Sequence, residues 1–166
     1  INIGSTQHLA AELFKSTAGV DVQVVPFNGS PAVLTALRGG QVDAAVEILG
    51  PVMGQIAAKV VKPLAVMGAK RSASLPDVPT VAEAGVRGFN AASWNALAAP
   101  ARTPPAVIAM LNAAVNKVLA DPGLRKQLAD INVTPAGGTP EQLRELLGSE
   151  IKRWADVIAR SGVPRQ

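Results

Sequence analysis

Between Val20 and Gly68, extended apolar runs take turns with short helix-forming segments, and this alternation narrows the fold more than any other feature of the chain. Val20 to Phe27 reads as a strand, with Val20, Val22 and Val24 alternating with Asp21, Gln23 and Val25. Asn28-Gly29-Ser30-Pro31 follows. Ser30 is placed to cap a helix and Pro31 to take its first position, where a missing N–H costs nothing. Leu34 and Leu37 anchor that helix, and Gly39-Gly40 stop it. Residues 42–49 read as a second strand, and Gly50-Pro51 opens a short helix through Met53 and Ile56. Residues 63–68 form a third run, apolar enough to be buried on both faces of a parallel sheet. This order predicts βαβ crossovers and an α/β fold.

The flanks are helical. Upstream, Leu9, Leu13 and Phe14 share one helical face, with Ser5 or Thr6 as N-cap and Gly19 as the stop. Residues 69–90 read as a loop with one helical turn, opened by the capping box Thr80-Val81-Ala82-Glu83 and closed by Gly85. Residues 91–99 are expected to be extended. Beyond Pro100 the character changes. Thr103-Pro104 starts a helix striped by Val107, Ile108, Leu111, Val115 and Val118. Asp121-Pro122 starts a shorter one carrying Leu124 and Leu128. Thr139 and Gln142 form a second capping box, opening a long helix whose apolar face is Leu143, Leu147, Ile151, Trp154 and Ile158. The expected division is an α/β lobe over 1–99 and a helical tail over 100–166.

Composition removes most chemistries. Hydrophobic residues make up 48% and charged ones 17%, so a packed core is expected rather than disorder. The chain has no cysteine, which excludes thiol catalysis, disulfides and thiolate metal sites. The net charge of +4 is scattered over residues such as Lys15, Arg38, Lys59, Lys70 and Arg125, without interleaved aromatics, so no nucleic-acid partner is expected. Asp43 and Glu47 share a strand face but lack a third ligand, and neither a metal nor a nucleotide cofactor has its usual motif. His8 is the single histidine and the one candidate proton shuttle. A hydrolase using His8 is therefore one alternative, although no Gly-x-Ser-x-Gly elbow accompanies it.

Two junctions remain, Gly4-Ser5-Thr6-Gln7 and Asn28-Gly29-Ser30. In a parallel α/β sheet such junctions gather at the carboxyl ends of the strands, where ligands bind. Each opens a helix, whose first turn offers unpaired N–H groups and about half a unit of positive charge. Both properties suit a carboxylate. Simple helix capping is the competing explanation for the same residues.

Longer motifs carry a family resemblance. Leu75-Pro76-Asp77-Val78-Pro79-Thr80-Val81-Ala82-Glu83-Ala84-Gly85 is the most specific, followed by Ser93-Trp94, Ala99-Pro100 and Thr103-Pro104. Upstream, Gln7-His8-Leu9-Ala10-Ala11-Glu12-Leu13-Phe14, Val25-Pro26-Phe27-Asn28-Gly29-Ser30 and Gly39-Gly40-Gln41-Val42-Asp43 stand in matching order. The chain resembles the substrate-binding receptors of tripartite tricarboxylate transporters, the Bug or TctC-like proteins, over essentially its whole length. The resemblance implies a type II periplasmic-binding-protein fold of two lobes, without enzymatic activity, located in the periplasm. It implies capture of a small carboxylate (a di- or tricarboxylate, an acidic amino acid or an aromatic acid) and delivery to the membrane components of the transporter.

By the same resemblance, the chain is expected to begin near the start of the second lobe, with the signal peptide and most of the first lobe outside it. The tail helices would complete the other lobe, and a hinge would lie near 91–100. Their apolar stripes would fold back on their own lobe or exchange with a second copy in a swapped dimer. Asn28 stands where the family commonly has Lys, and Phe27 where it has Tyr. Glu47 falls near a frequent Asp, a position resembling a partner for a ligand's ammonium. The expected ligand-binding set is thus Gly4, Ser5, Thr6, Gln7, Asn28, Gly29, Ser30 and Glu47. A cytoplasmic effector-binding domain of a LysR-type regulator shares the two-lobe architecture and is the other alternative.

Overall fold

A computed structural model describes residues 2–163 and holds six helices: α1 (Thr6–Ala18), α2 (Ser30–Arg38), α3 (Leu49–Ala57), α4 (Pro105–Leu119), α5 (Pro122–Asp130) and α6 (Pro140–Ser161). The chain divides into two compact units. One takes the described residues up to Ser93 together with those from Trp154 onward; the other is Trp94–Arg153. The boundary therefore cuts through α6.

Unit one is built on the predicted face of α1. Ser5 caps this helix by accepting from the His8 N–H at 3.2 Å, and Gly19 ends it in the left-handed conformation at φ 65°. Leu9 and Ala10 are buried, and Leu13 and Phe14 pack against a cluster of Ala10, Val81, Phe89 and Ala91. Phe14 meets Phe89 edge-on, with centroids 6.0 Å apart and planes at 80°. Trp154, from α6, packs against the same cluster.

Strand pairing is sparser than the sequence implies. Val66 and Thr80 form an isolated parallel bridge, through Val66 N–H to the Pro79 carbonyl (2.8 Å) and Val81 N–H to the Val66 carbonyl (2.9 Å). Ala91 N–H adds a bond to the Met67 carbonyl at 2.7 Å. Among the described residues, no main-chain group of 21–27 or 42–46 joins a backbone hydrogen bond, so the first two predicted strands form no ladder. Val22, Val25 and Leu64 stay exposed. Alternating β-branched residues favour an extended backbone, but a ladder also needs a neighbour in register, which a strand's own pattern does not supply. The helices α1, α2 and α3 nonetheless alternate with the non-helical segments at 20–27, 42–47 and 63–68 in the predicted order.

The loop between these parts is held by its predicted capping box. Thr80 Oγ1 accepts from Glu83 N–H (3.1 Å), and Glu83 Oε2 accepts from Thr80 N–H (2.8 Å). The box closes a turn rather than starting a helix. Arg71 donates to the same carboxylate oxygen at 2.8 Å and to the Pro76 carbonyl at 3.0 Å. The Thr80 amide first, and then the Arg71 guanidinium, hold the Glu83 carboxyl below its ordinary pKa. A carboxyl whose pKa is depressed on folding adds stability at neutral pH, and that stability is lost as pH falls through the folded value. The amides of 76–85 should therefore lose hydrogen-exchange protection on acidification through the carboxylate range. Glu83→Gln should show the weakened protection already at neutral pH, with little further loss over that range.

Unit two contains α4, α5 and the first part of α6. Asp121 caps α5, accepting from Leu124 N–H at 2.8 Å, and Thr139 and Gln142 close the second capping box at 3.2 and 2.9 Å. Neither α4 nor α5 buries a residue. The predicted stripes are instead partly solvent-facing: Leu111, Val118, Leu147 and Ile151 are exposed. In α6 the deeply buried residue is Val157, 2% exposed and outside the predicted face. Only the end of α6 belongs to unit one, so one helix serves two environments and no single stripe describes it.

Candidate functional site

All eight predicted site residues lie in unit one. At the first junction, Gly4 has φ 81° and its N–H points at His8 Nδ1 from 3.4 Å. Ser5 Oγ spends a lone pair on the His8 N–H, which leaves its hydroxyl proton free to donate. The Thr6 and Gln7 N–H groups, in the first turn of α1, meet no acceptor among the described residues. Gln7 and His8 are both buried, each 8% exposed. His8 is thus a local structural residue: its ring accepts from a main-chain amide, and no carboxylate or hydroxyl is hydrogen-bonded to it among the described residues. That geometry does not provide the shuttle a hydrolase needs.

The second junction differs from its sequence reading. Gly29, not Ser30, is the N-cap of α2, and Ser30 is the first helical residue with Pro31 behind it. Gly29 sits at φ 89°, ψ 160°, a region essentially restricted to glycine. Its carbonyl accepts from Ala32 (3.2 Å) and Val33 (3.4 Å), while the Ser30 N–H has no acceptor among the described residues. Asn28 is exposed at the mouth of this turn.

Ser30 does not cap because its hydroxyl is engaged elsewhere. It donates to Glu47 Oε2 at 3.0 Å, and Ile48 N–H donates to the same oxygen at 3.2 Å. Glu47 thereby ties the start of α2 to the N-cap of α3. The Ser30 hydroxyl proton is used in that bond, so what this residue offers a ligand is its main-chain N–H. Asp43, on the same segment, is exposed and joins no such network.

The structure thus brings Ser30 and Glu47 together, and Gly4 and Ser5 with His8. No hydrogen bond links the two junctions to each other among the described residues. Sequence reasoning missed the Arg71–Glu83 pair, although Glu83 lies inside the most specific motif. No group of three or more His, Asp or Glu residues capable of holding a metal occurs among the described residues. In unit two a shallow groove of about 470 Å³ is lined by Ala114, Lys117, Val118, Asp121 and Leu124. It contains none of the predicted site residues.

Comparison with known proteins follows the same lines. The model of the tripartite tricarboxylate transporter family receptor matches residues 1–163. Protein BugT of Bordetella pertussis is 36% identical over 160 residues, covering 96% of this chain and 49% of BugT. Among solved structures, R. palustris Rpa4515 with adipate superposes with a TM-score of 0.83 at 38% identity, over 96% of this chain and 54% of that one. MatC (Rpa3494) from Rhodopseudomonas palustris with bound malate gives 0.73 at 35% identity, over 93% and 54%. The chain thus spans about half the length of each of these three relatives. These likenesses place it in the α/β type II binding-protein fold.

Proposed function

Because the chain belongs to the tripartite tricarboxylate transporter receptor family, we propose that it is the ligand-capturing half of a periplasmic solute receptor that hands a small carboxylate to the membrane components of its transporter. The family is one of receptors, which sets aside both the hydrolase and the LysR-type readings. One observation carries the proposal: the N–H groups of Thr6, Gln7 and Ser30, at the starts of two helices, have no acceptor among the described residues. Helix-start amides bind carboxylate oxygens by hydrogen bonding and by the helix dipole together. Neutral donors also avoid the desolvation cost of burying a countercharge. The Ser5 hydroxyl supplies another donor, and Gly4, Asn28 and Gly29 shape the two turns. That two structural relatives are named with bound adipate and malate supports a carboxylate ligand for this chain too.

Residues 1–99 are assigned to the ligand-binding lobe, and 100–166 to the helices that in the family complete the other lobe. The exposed apolar residues of α4 and α6 are assigned to contact with that lobe or with a second copy. Thermal denaturation with added carboxylates tests the proposal. Malate or adipate at about 100 times Kd should stabilise the chain by about 2.7 kcal/mol. Ser5→Ala should shrink the effect, while Ser74→Ala, in the exposed loop, should leave it intact. A melting temperature that ignores every dicarboxylate, hydroxy acid and amino acid would remove the capture role.

A further inference from the structure

Asn28-Gly29 is the asparaginyl link best placed to rearrange on its own. Asn28 is the only asparagine of the chain followed by glycine. Its side chain is exposed and joins no hydrogen bond among the described residues. The Gly29 N–H likewise finds no acceptor among the described residues. No main-chain group of 21–28 joins a backbone hydrogen bond there either, so rotation about the Asn28 backbone breaks none. Gly29 has no side chain to keep its nitrogen away from the Asn28 carboxamide. A Cβ at Gly29 would meet only Pro31 Cδ, at 3.7 Å, so the approach is open. Asn95 is exposed too, but it precedes Ala96, whose methyl group hinders the same approach.

We propose that Asn28 is a site of spontaneous deamidation through a succinimide, and that the carboxylate formed there closes the anion site at Ser30. The Gly29 nitrogen, on losing its proton to solvent, attacks Asn28 Cγ. The N–Cγ bond forms, the Cγ–Nδ2 bond breaks, and the amide nitrogen leaves as ammonia. Water then opens the five-membered imide. Attack at Cγ restores the main chain and gives aspartate; attack at the main-chain carbonyl carbon routes the chain through Cγ and gives isoaspartate. Both products place a new negative charge two residues before Ser30. In the aspartate product the side chain completes an Asx turn, accepting from the N–H two residues on. That N–H belongs to Ser30, has no acceptor among the described residues, and is the donor this junction offers a ligand. The dipole of α2 favours an anion there, as it favours a ligand's. In the isoaspartate product the extra backbone methylene displaces the same turn. Either way an incoming carboxylate is repelled, and in the aspartate form its amide is already taken. Closure rests on the carboxylate capture at Ser30 proposed above; the covalent step does not.

Ageing the chain in mildly alkaline buffer tests both halves. The tryptic peptide of residues 16–38 holds Asn28 and no other asparagine. It should gain one dalton at Asn28, passing through a form lighter by one ammonia. Aspartate and isoaspartate forms should separate on chromatography, while Asn95 stays intact over the same period. Asn28→Gln, whose longer side chain closes its ring far more slowly, should keep the mass unchanged. Fresh chain, aged chain and Asn28→Asp are then titrated with malate by calorimetry. Asn28→Asp should bind about tenfold more weakly than the fresh chain. The aged chain should lose high-affinity sites in step with its modified fraction, a readout that does not depend on the variant folding. If Asn28 is converted no faster than Asn95, the covalent proposal is overturned. If conversion occurs but the aged chain and Asn28→Asp bind malate as the fresh chain does, closure is overturned while carboxylate capture stands. Failure of the fresh chain to bind malate or adipate overturns capture and closure together, and the peptide masses alone then decide the covalent step.

Discussion

Phe89→Ala is expected to destabilise unit one by about 3–5 kcal/mol. Phe89 is 4% exposed and lies in the cluster with Ala10, Val81 and Ala91. Its edge contact with Phe14 adds an aromatic preference to simple burial. Two of its three buried partners are alanines, too short to reach into the space that truncation leaves. The cost is therefore the lost transfer free energy plus an uncollapsed cavity. Urea denaturation, followed by the fluorescence of Trp154 in the same cluster, measures it. A loss below about 1 kcal/mol would show that this cluster is not the core of the unit.

Asn116→Ala should cost unit two about 2–3 kcal/mol. The unit has little apolar burial to rely on, since α4 and α5 bury no residue. Asn116 compensates with its carboxamide. Its Oδ1 accepts from Gly138 N–H at 2.9 Å, and its Nδ2 donates to the Gly138 carbonyl at 2.9 Å. The same Nδ2 reaches the Asn112 carbonyl, and Asn112 itself donates to the Gly138 carbonyl. Truncation leaves the Gly138 amide without its acceptor, and an orphaned, partly buried donor costs more than the bond alone. Amide exchange at Gly138 should accelerate along with the loss of α4 and α6 helicity. Asn116→Asp, which keeps the acceptor but not the donor, should fall between the two. Unchanged exchange at Gly138 would mean that something else holds this corner.

The reliable parts of the sequence reading were those decided within one turn of chain. The Ser5 cap, the Asp121 cap and the boxes at Thr80–Glu83 and Thr139–Gln142 all join residues three apart, and each formed. Their partners are delivered by the geometry of a single turn, whether of a helix or of the loop at 80–85, so residue type and spacing suffice. Stripes were less secure. Leu13 and Phe14 reached the core, whereas Leu147 and Ile151 did not, because an amphipathic face shows that burial is favoured without showing what is available to cover it.

The candidate site divides in the same way. The sequence by itself placed both junctions to within one residue, because Ser, Gly and Pro bias the backbone locally: Ser5 caps α1, whereas α2 begins one residue earlier than its Ser-Pro pattern indicates, with Gly29 as the cap. Only the tertiary structure decided what Ser30 does. Its hydroxyl serves Glu47, seventeen residues away, instead of its own helix. It also decided that Val66 pairs with Thr80 while 21–27 pairs with nothing described. Such contacts depend on which distant groups chain closure brings within about 3 Å, and no single segment encodes that distance.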